Sequence, residues 1–352
     1  MSRFLSKKYA MLTPYTPGEQ PQDIKYIKLN TNESPYPPSE KACRYAAEAA
    51  ARMQLYPDPE CRELTEKIAE MCGLGYENIL VTNGSDEILN FAFMAFCDGD
   101  TPAVFPDITY GFYPVFAELN NIPYKEIPLC NDFSINTAQY YNSGATIFIA
   151  NPNAPTGIAL PLSEIEEIVR KNPDNVVVID EAYVDFGTES ALSLVPKYDN
   201  LIVTQTFSKS RSMAGARLGF GAASAALIQD MNTIKYSTNP YNINRMTMAA
   251  GLGVLEDEEY TKSNCLKISE TRRYTVDKLR TLGFTSTDSM ANFIFVKHET
   301  YGGEALYREL KSRGILVRHF NKPRLSEYLR ITIGAREEMD ALINTLGDIL
   351  GK

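Results

Sequence analysis

Val176-Val177-Val178-Ile179 leads into Asp180-Glu181-Ala182-Tyr183, and Leu201-Ile202-Val203 leads into Thr206-Phe207-Ser208-Lys209-Ser210. Both are short aliphatic runs that end in polar, chemically capable residues. Apolar runs of this length, bounded by turn residues, read as strands buried on both faces, as in a parallel sheet covered by helices. In open sheets of that kind ligands bind beyond the carboxyl ends of the strands. The pattern therefore predicts that a carboxylate, Asp180, and an amine, Lys209, are delivered to one crevice.

The same alternation recurs outward from these runs. Residues 78–82, 103–105, 146–150, 176–179, 201–204 and 217–221 read as strands, and 41–53, 60–71 and 88–96 as helices. Such alternation predicts right-handed crossovers and a mostly parallel sheet. A long helical stretch, 257–282, leads to short strands at 292–296, 315–318 and 329–333 and helices at 303–313 and 335–350. Residues 1–38 are rich in Pro, Tyr and Asn, lack a clear period, and read as an arm that folds over another part of the molecule. The expected architecture is α/β. An arm (1–38) joins the small domain and the ligand site, a large domain (39–250) holds a mostly parallel central sheet, and a smaller α+β domain (251–352) follows.

Composition narrows the function. The 352 residues carry a formal net charge of −9, which argues against nucleic acid or an anionic membrane as partner, since both demand a basic face. Cys43, Cys61, Cys72, Cys97, Cys130 and Cys265 are scattered with no C-x-x-C pair and read as reduced thiols. With only His298 and His319, neither a histidine-based metal centre nor a Ser-His-Asp triad is expected. Residues 1–10 lack an apolar signal core, and no run approaches the roughly 18 apolar residues of a spanning helix. A cytoplasmic protein is expected.

The polar residues around the two runs form a chemical set. A lysine amine becomes nucleophilic when burial and nearby positive charge lower its pKa; a loop lysine alone reads as solvated. Asp180 ends an aliphatic strand, where a carboxylate is costly unless paired, although it can also cap the following turn. Asn83-Gly84-Ser85-Asp86 turns a strand into a helix, whose N-terminus offers free N–H groups to an anion. Ser85 adds a hydroxyl, or caps that helix. Asp86 is expected to offer its backbone N–H, not its carboxylate. Arg217, in Ala214-Gly215-Ala216-Arg217-Leu218-Gly219, reads as a second anion ligand. Tyr110 can stack on a planar ring. A lysine for an imine link, an acid for a pyridinium nitrogen and a phosphate cradle are together what pyridoxal 5′-phosphate needs.

With these residues the chain resembles the fold-type-I pyridoxal-phosphate enzymes, and within them the histidinol-phosphate aminotransferases. The resemblance runs from Leu12-Thr13-Pro14-Tyr15, Asn32-Glu33-Ser34-Pro35-Tyr36 and Leu55-Tyr56-Pro57-Asp58 through Gly84-Ser85-Asp86-Glu87 and Pro152-Asn153-Ala154-Pro155-Thr156-Gly157. It continues through Asp180 to Tyr183, Ser208-Lys209, Ala214 to Arg217, Gly314 to Arg318 and Leu329 to Gly334. It implies a fold-type-I transferase whose Lys209 links to the cofactor, whose Asp180 pairs with the ring nitrogen, and whose Tyr183 serves the ring 3′-oxygen, with Asn153 beside Ala154 as a further candidate donor to it. It also implies Tyr110 on the ring face and Ser85, Asp86, Ser208 and Arg217 at the phosphate. Tyr56 is implied to reach in from a partner subunit, making a homodimer with shared active sites. Arg330, Arg318, Tyr15 and Asn32 are the implied substrate residues, for an amino donor and a 2-oxo acid. The Ala154–Pro155 bond is implied to be cis.

The sequence departs from that pattern at Ala154, where the family usually has an Asn that donates to the 3′-oxygen. A donor lost beside a buried oxyanion costs roughly 1–3 kcal/mol. Ser34, where Asn is common, is a lesser departure. The implied reaction is transamination of L-histidinol phosphate against 2-oxoglutarate, in histidine biosynthesis. The alternatives are an aminotransferase for aromatic or other amino acids, a lyase akin to threonine-phosphate decarboxylase, or a binding module that kept the scaffold alone. The alternative for Arg318 is a surface residue beside His319 and Lys322.

Overall fold

The computed structural model describes residues 2–10 and 12–351. Met1 and Lys352, the outer limits of the arm and of the C-terminal domain as read from sequence, lie outside the described residues, as does Met11. In chain order the regular elements are β1 (Ile27–Lys28), α1 (Glu40–Ala50), α2 (Arg62–Cys72), β2 (Ile79–Thr82), α3 (Ser85–Phe96), β3 (Ala103–Pro106), α4 (Phe112–Asn120), β4 (Tyr124–Ile127), β5 (Thr146–Ala150), α5 (Leu162–Arg170), β6 (Val177–Asp180) and β7 (Leu201–Thr206). There follow β8 (Gly219–Ala223), α6 (Ala225–Thr238), α7 (Arg245–Leu255), α8 (Glu258–Thr281), β9 (Phe284–Ser286), β10 (Phe293–His298), α9 (Gly303–Ser312), β11 (Ile315–Leu316), β12 (Arg318–His319), β13 (Leu329–Thr332) and α10 (Arg336–Leu350).

Seven strands form the central sheet in the order β2-β8-β7-β6-β5-β3-β4. Side chains alternate across it, as the two-residue period of a strand requires. Ile147, Ile149, Val177, Ile179, Leu201 and Val203 pack on one face with Leu64 and Ile68 of α2, Ile165 and Ile168 of α5, and Val254 of α7. Phe148, Val178 and Ile202 pack on the other with Ile88 and Phe93 of α3, Tyr113 and Phe116 of α4, and Met231 of α6. Each such aliphatic side chain, fully withdrawn from water, contributes about 1.5–3 kcal/mol. A second core lies beyond α8, where Phe293, Ile294, Leu329 and Ile331 of a four-stranded sheet (β12-β13-β10-β9) meet Leu306 of α9 and Leu342 of α10.

The sheet is mostly parallel with one exception that shapes the site. β8 runs antiparallel to both β7 and β2, with Gly219 opposite Thr206 on one side and Thr82 on the other. Its first residue therefore lies at the carboxyl ends of its neighbours. The strand begins at Gly219 and not at Arg217, which instead holds a left-handed turn (φ 55°). A Cβ on Gly219 would come within 2.6 Å of the Gly84 carbonyl carbon and would strike the Ser85 nitrogen. Glycine there lets β8 lie against the start of α3.

Other elements were not legible as periods. α3 begins at Ser85, three residues before the apolar run that suggested it. α4, α5, α6 and α7 and the short strands β1, β4 and β9 add to those expected. In α7 the small residues serve close approach: a Cβ on Gly253 would come within 2.7 Å of Ala42 Cα in α1. Residues 315–318, expected as one strand, are two. β11 pairs in parallel with β1 of the arm, whereas β12 pairs with β13. The arm thus recruits Ile315 and Leu316 out of the small sheet.

Candidate active site

Asp180 is the last residue of β6, Thr206 the last of β7 and Ala150 the last of β5. The loops that follow converge on a cavity of about 150 Å³ lined by Ser85, Asp86, Tyr110, Ala154, Asp180, Tyr183, Ser208, Lys209 and Arg217 together with small residues. Asp180 is 5% exposed. Its carboxylate accepts from the Ala182 N–H (3.2 Å) and from the Tyr113 hydroxyl (3.2 Å). Burial, reinforced by the Asp86 charge, raises its pKa to about 7 against the pull of these donors and of Lys209. Lys209 Nζ donates to the Thr31 carbonyl at 3.2 Å. Burial, then the Arg330 charge, lowers its pKa to about 8.

At the other end of the cavity α3 presents its N-terminus behind Gly84 (φ 78°). Ser85 is the first helical residue and Gly84 the cap, so Ser85 is not the capping side chain. Arg217 donates to the Ser208 hydroxyl (3.1 Å) and pairs with Asp86 (3.0 Å), whose other oxygen accepts from Tyr110 (2.7 Å). The Asp86 carboxylate is thereby occupied by a cation and a phenol, which removes the repulsion that a lone acid would bring to an anion cradle.

A neighbouring cavity of about 480 Å³ shares Tyr110, Ala154, Tyr183 and Lys209 with the first and is also lined by Tyr15, Asn32, Arg318 and Arg330. Arg330 donates to the Asn30 carbonyl at 3.0 Å, and its Nε is buried without a partner among the described residues. Arg318 donates to the carbonyls of Thr16 and Pro17 at 3.3 Å each. Tyr15 stacks on Phe112 with centroids 4.2 Å apart. The arm thus closes one side of this cavity.

The family profile of aminotransferase class I and II matches residues 24–346. Histidinol-phosphate aminotransferase of Brachyspira hyodysenteriae is 49% identical over 99% of this chain and 99% of that protein. The protein of that name from Marinomonas is 51% identical over 98% of this chain and 99% of its own. The chain belongs to the histidinol-phosphate aminotransferase family. A crystal structure of the histidinol-phosphate aminotransferase from Sinorhizobium meliloti, in complex with pyridoxal-5′-phosphate, superposes with a TM-score of 0.85 at 24% identity, covering 93% of this chain and 92% of that one. This likeness speaks to the fold, fold-type-I α/β. As a member of the family the chain is a pyridoxal-phosphate-dependent aminotransferase.

The residues present fit that cofactor. Asp180 is a buried acid without an ion-pair partner among the described residues, suited to a protonated ring nitrogen. Gly84, with positive φ, and Gly219 keep the cradle free of side chains, and Arg217 and Ser208 stand over it. The Ala154–Pro155 bond is cis, and so is Asn151–Pro152, which the sequence did not suggest.

Two residues of the expected set are not in this constellation. Asn153 is buried, but its amide donates to the Ile108 carbonyl (2.9 Å) and to Thr156 (3.1 Å), and its oxygen accepts from Thr109 (2.8 Å). It holds the turn together, does not line the cavity, and cannot stand in for the donor missing at Ala154. Tyr56 is 79% exposed and stacks on Tyr241, centroids 4.7 Å apart, outside its own chain's cavity. Conversely, Tyr113 behind Asp180 was not singled out from sequence. It lies in the first turn of α4, whereas Tyr110 precedes that helix, so no helical spacing linked the two and the local pattern did not mark it. Thr332, two residues after Arg330, was missed because only the folded arm gives it a partner.

A larger cavity, about 1150 Å³, lies elsewhere, against α2 and α8. Its charges are largely satisfied in place, by Arg211 with Asp185, Lys67 with Glu70 and Lys262 with Glu258.

Proposed function

We propose that this protein exchanges an amino group between L-histidinol phosphate and 2-oxoglutarate, giving imidazole acetol phosphate and glutamate. The observation that carries the reading is the pair Arg330 and Arg318 on the wall of a cavity that opens onto Lys209, in a chain whose net charge is −9. A planar guanidinium grips a carboxylate or phosphate in two-point fashion. The names of the relatives above point to the same substrate.

The geometry supports the following roles. Pyridoxal phosphate, when bound, supplies the electron sink for carbanion charge. Asp180, ionised against a ring N–H, would keep that sink protonated. Ser85, Ser208 and Arg217 would hold the phosphate, with Asp86 orienting Arg217. Tyr110 would cover one ring face and Tyr183 would donate to the ring oxygen, both lining the cavity. Lys209 Nζ, on the wall shared by the two cavities, would move the proton at substrate Cα. Arg330 holds the anionic group common to both substrates, and Arg318 with Tyr15 the phosphate of the larger one.

The site is proposed to be shared in a homodimer, with Tyr56 of the partner subunit reaching the phosphate. The exposed Tyr56–Tyr241 stack beside the large domain supports this. A cytoplasmic location and the division into arm, large and small domains belong to the same proposal. Among the described residues no helix is long and apolar enough to cross a membrane.

The test is a half-reaction. Loaded enzyme is mixed separately with histidinol phosphate, phenylalanine and threonine phosphate, and loss of the visible cofactor band is followed. Histidinol phosphate is expected to be fastest by at least tenfold. Equal rates with phenylalanine point to an aromatic aminotransferase, and carbon dioxide release from threonine phosphate to a lyase.

A further inference from the structure

Asn32 is 1% exposed and sits in the left-handed region (φ 57°). Three segments meet on it. Its amide nitrogen donates to the Tyr183 hydroxyl at 3.0 Å, and its side-chain oxygen accepts from the Thr332 hydroxyl at 3.0 Å. Its backbone N–H donates to the same Thr332 oxygen at 2.9 Å, and its carbonyl accepts from Asn292 at 3.0 Å. These bonds are directional. Thr332 Oγ1 already accepts the Asn32 backbone proton, so its own proton goes to the Asn32 side-chain oxygen. That fixes which way the amide faces, and its NH2 end must point at Tyr183. A phenol that accepts from an amide has its own proton free to donate, and that proton is left for the cavity.

We propose that Asn32, locked by Thr332, is a positioning residue that aims the Tyr183 proton into the cofactor cavity, and that this relay replaces the donor missing at Ala154. The inference rests on the proposed role of Tyr183 toward the ring oxygen. Ala154 lines both cavities and has no polar side-chain atom, and Asn153 is spent within its own turn. Tyr183 is therefore the side-chain donor remaining at that position, and its orientation matters more than where an Asn shares the task. Thr332 lies on the same face of β13 as Arg330, two residues away. The strand that bears the substrate arginine thus also sets the Tyr183 proton. The charged groups around the phenol are Arg330 from β13, Asp180 from β6, Asp86 from α3 and Lys209 after β7, whose Nζ lies 5.9 Å from the Tyr183 ring centre.

A donor to the ring oxygen stabilises that oxygen's negative charge and so weakens the hold of the cofactor-linked Lys209 nitrogen on its proton. Loss of a well-aimed donor raises the pKa at which the visible band of the loaded enzyme changes. The experiment is a spectrophotometric pH titration of loaded wild type, Thr332→Val, Thr332→Ser, Asn32→Gly and Tyr183→Phe, with circular dichroism of each. Gly accepts the left-handed backbone of Asn32 without strain, and Val keeps the size of Thr332. Thr332→Val and Asn32→Gly are expected to raise the band pKa by about half to one pH unit, the size of one net hydrogen bond. Thr332→Ser is expected to restore it, and Tyr183→Phe to raise it at least as far. If Tyr183→Phe shifts the band while Thr332→Val leaves it in place, the relay is wrong and the role of Tyr183 stands. If Tyr183→Phe leaves it in place, that role fails and the relay with it. An Ala154→Asn exchange in the Thr332→Val background adds a rescue: return of the pKa toward wild type supports the replacement, and no return overturns it.

Discussion

Asp180→Asn should make the cofactor-free protein more stable and the enzyme nearly inactive. In the folded chain the Asp180 carboxyl is raised from 3.8 to about 7, first by burial and then by Asp86. A carboxyl with a raised folded pKa binds its proton more tightly folded than unfolded. Its ionisation therefore costs nothing below pH 3.8, costs progressively more from there to pH 7, and costs the full amount above. The full amount is about 4 kcal/mol for a move of about three pH units, and about 2 kcal/mol of it is already felt at pH 5. Asn is close in shape. Its oxygen can accept from the Ala182 N–H, and its amide can donate to the Tyr113 hydroxyl oxygen, so both contacts of the carboxylate keep a partner. Urea unfolding of the cofactor-free wild type and variant at pH 5 and pH 8 is the assay. The variant should be the more stable at both, with its advantage about two to three times as large at pH 8. Turnover of the loaded variant should fall by several orders of magnitude, because the ring nitrogen loses its counter-charge. An advantage that does not change between pH 5 and pH 8, or a variant less stable than wild type, would refute a raised Asp180 pKa.

Lys209, lowered to about 8, must lose its proton to attack the cofactor aldehyde. Loading of the cofactor-free protein, followed by absorbance, should speed up about tenfold per pH unit up to pH 8 and then level, and borohydride should fix the cofactor to the peptide holding Lys209. Gly219→Ala should weaken cofactor retention by more than tenfold in equilibrium dialysis, since its methyl group would strike the backbone of Gly84 and Ser85 at the phosphate cradle. Arg318→Ala should raise KM for histidinol phosphate by roughly 10- to 100-fold, the worth of a charge-assisted bond of about 1.5–3 kcal/mol, and that for glutamate much less. Equal losses in steady-state kinetics would place Arg318 outside phosphate binding.

The buried parallel strands were legible because a strand covered on both faces needs an unbroken aliphatic run, and residues 146–150, 176–179 and 201–204 have one. Legible for the same reason was the convergence of Asp180 and Lys209, since parallel strands end on one side. The direction of β8 was not: an apolar strand reads alike in either direction, and only its pairing with β2 and β7 shows that Arg217 enters from the strand's beginning. Helices such as α7, whose small and apolar residues surround the axis, carry little period and take their place from what packs on them.

What the sequence by itself determined is chemistry that depends on residue identity and local order: a lysine, an acid, an anion cradle and their sequence on a parallel sheet. The tertiary structure alone decided which of the candidates reach the cavity. Asn153 and Asn32 are both asparagines in turn-forming segments. One is consumed by its own turn, whereas the other is brought, by the pairing of the arm with β11, between Tyr183 and Thr332. A side chain has few hydrogen-bonding atoms, and the partners that use them up come from segments up to 300 residues apart, a distance over which local pattern carries no information.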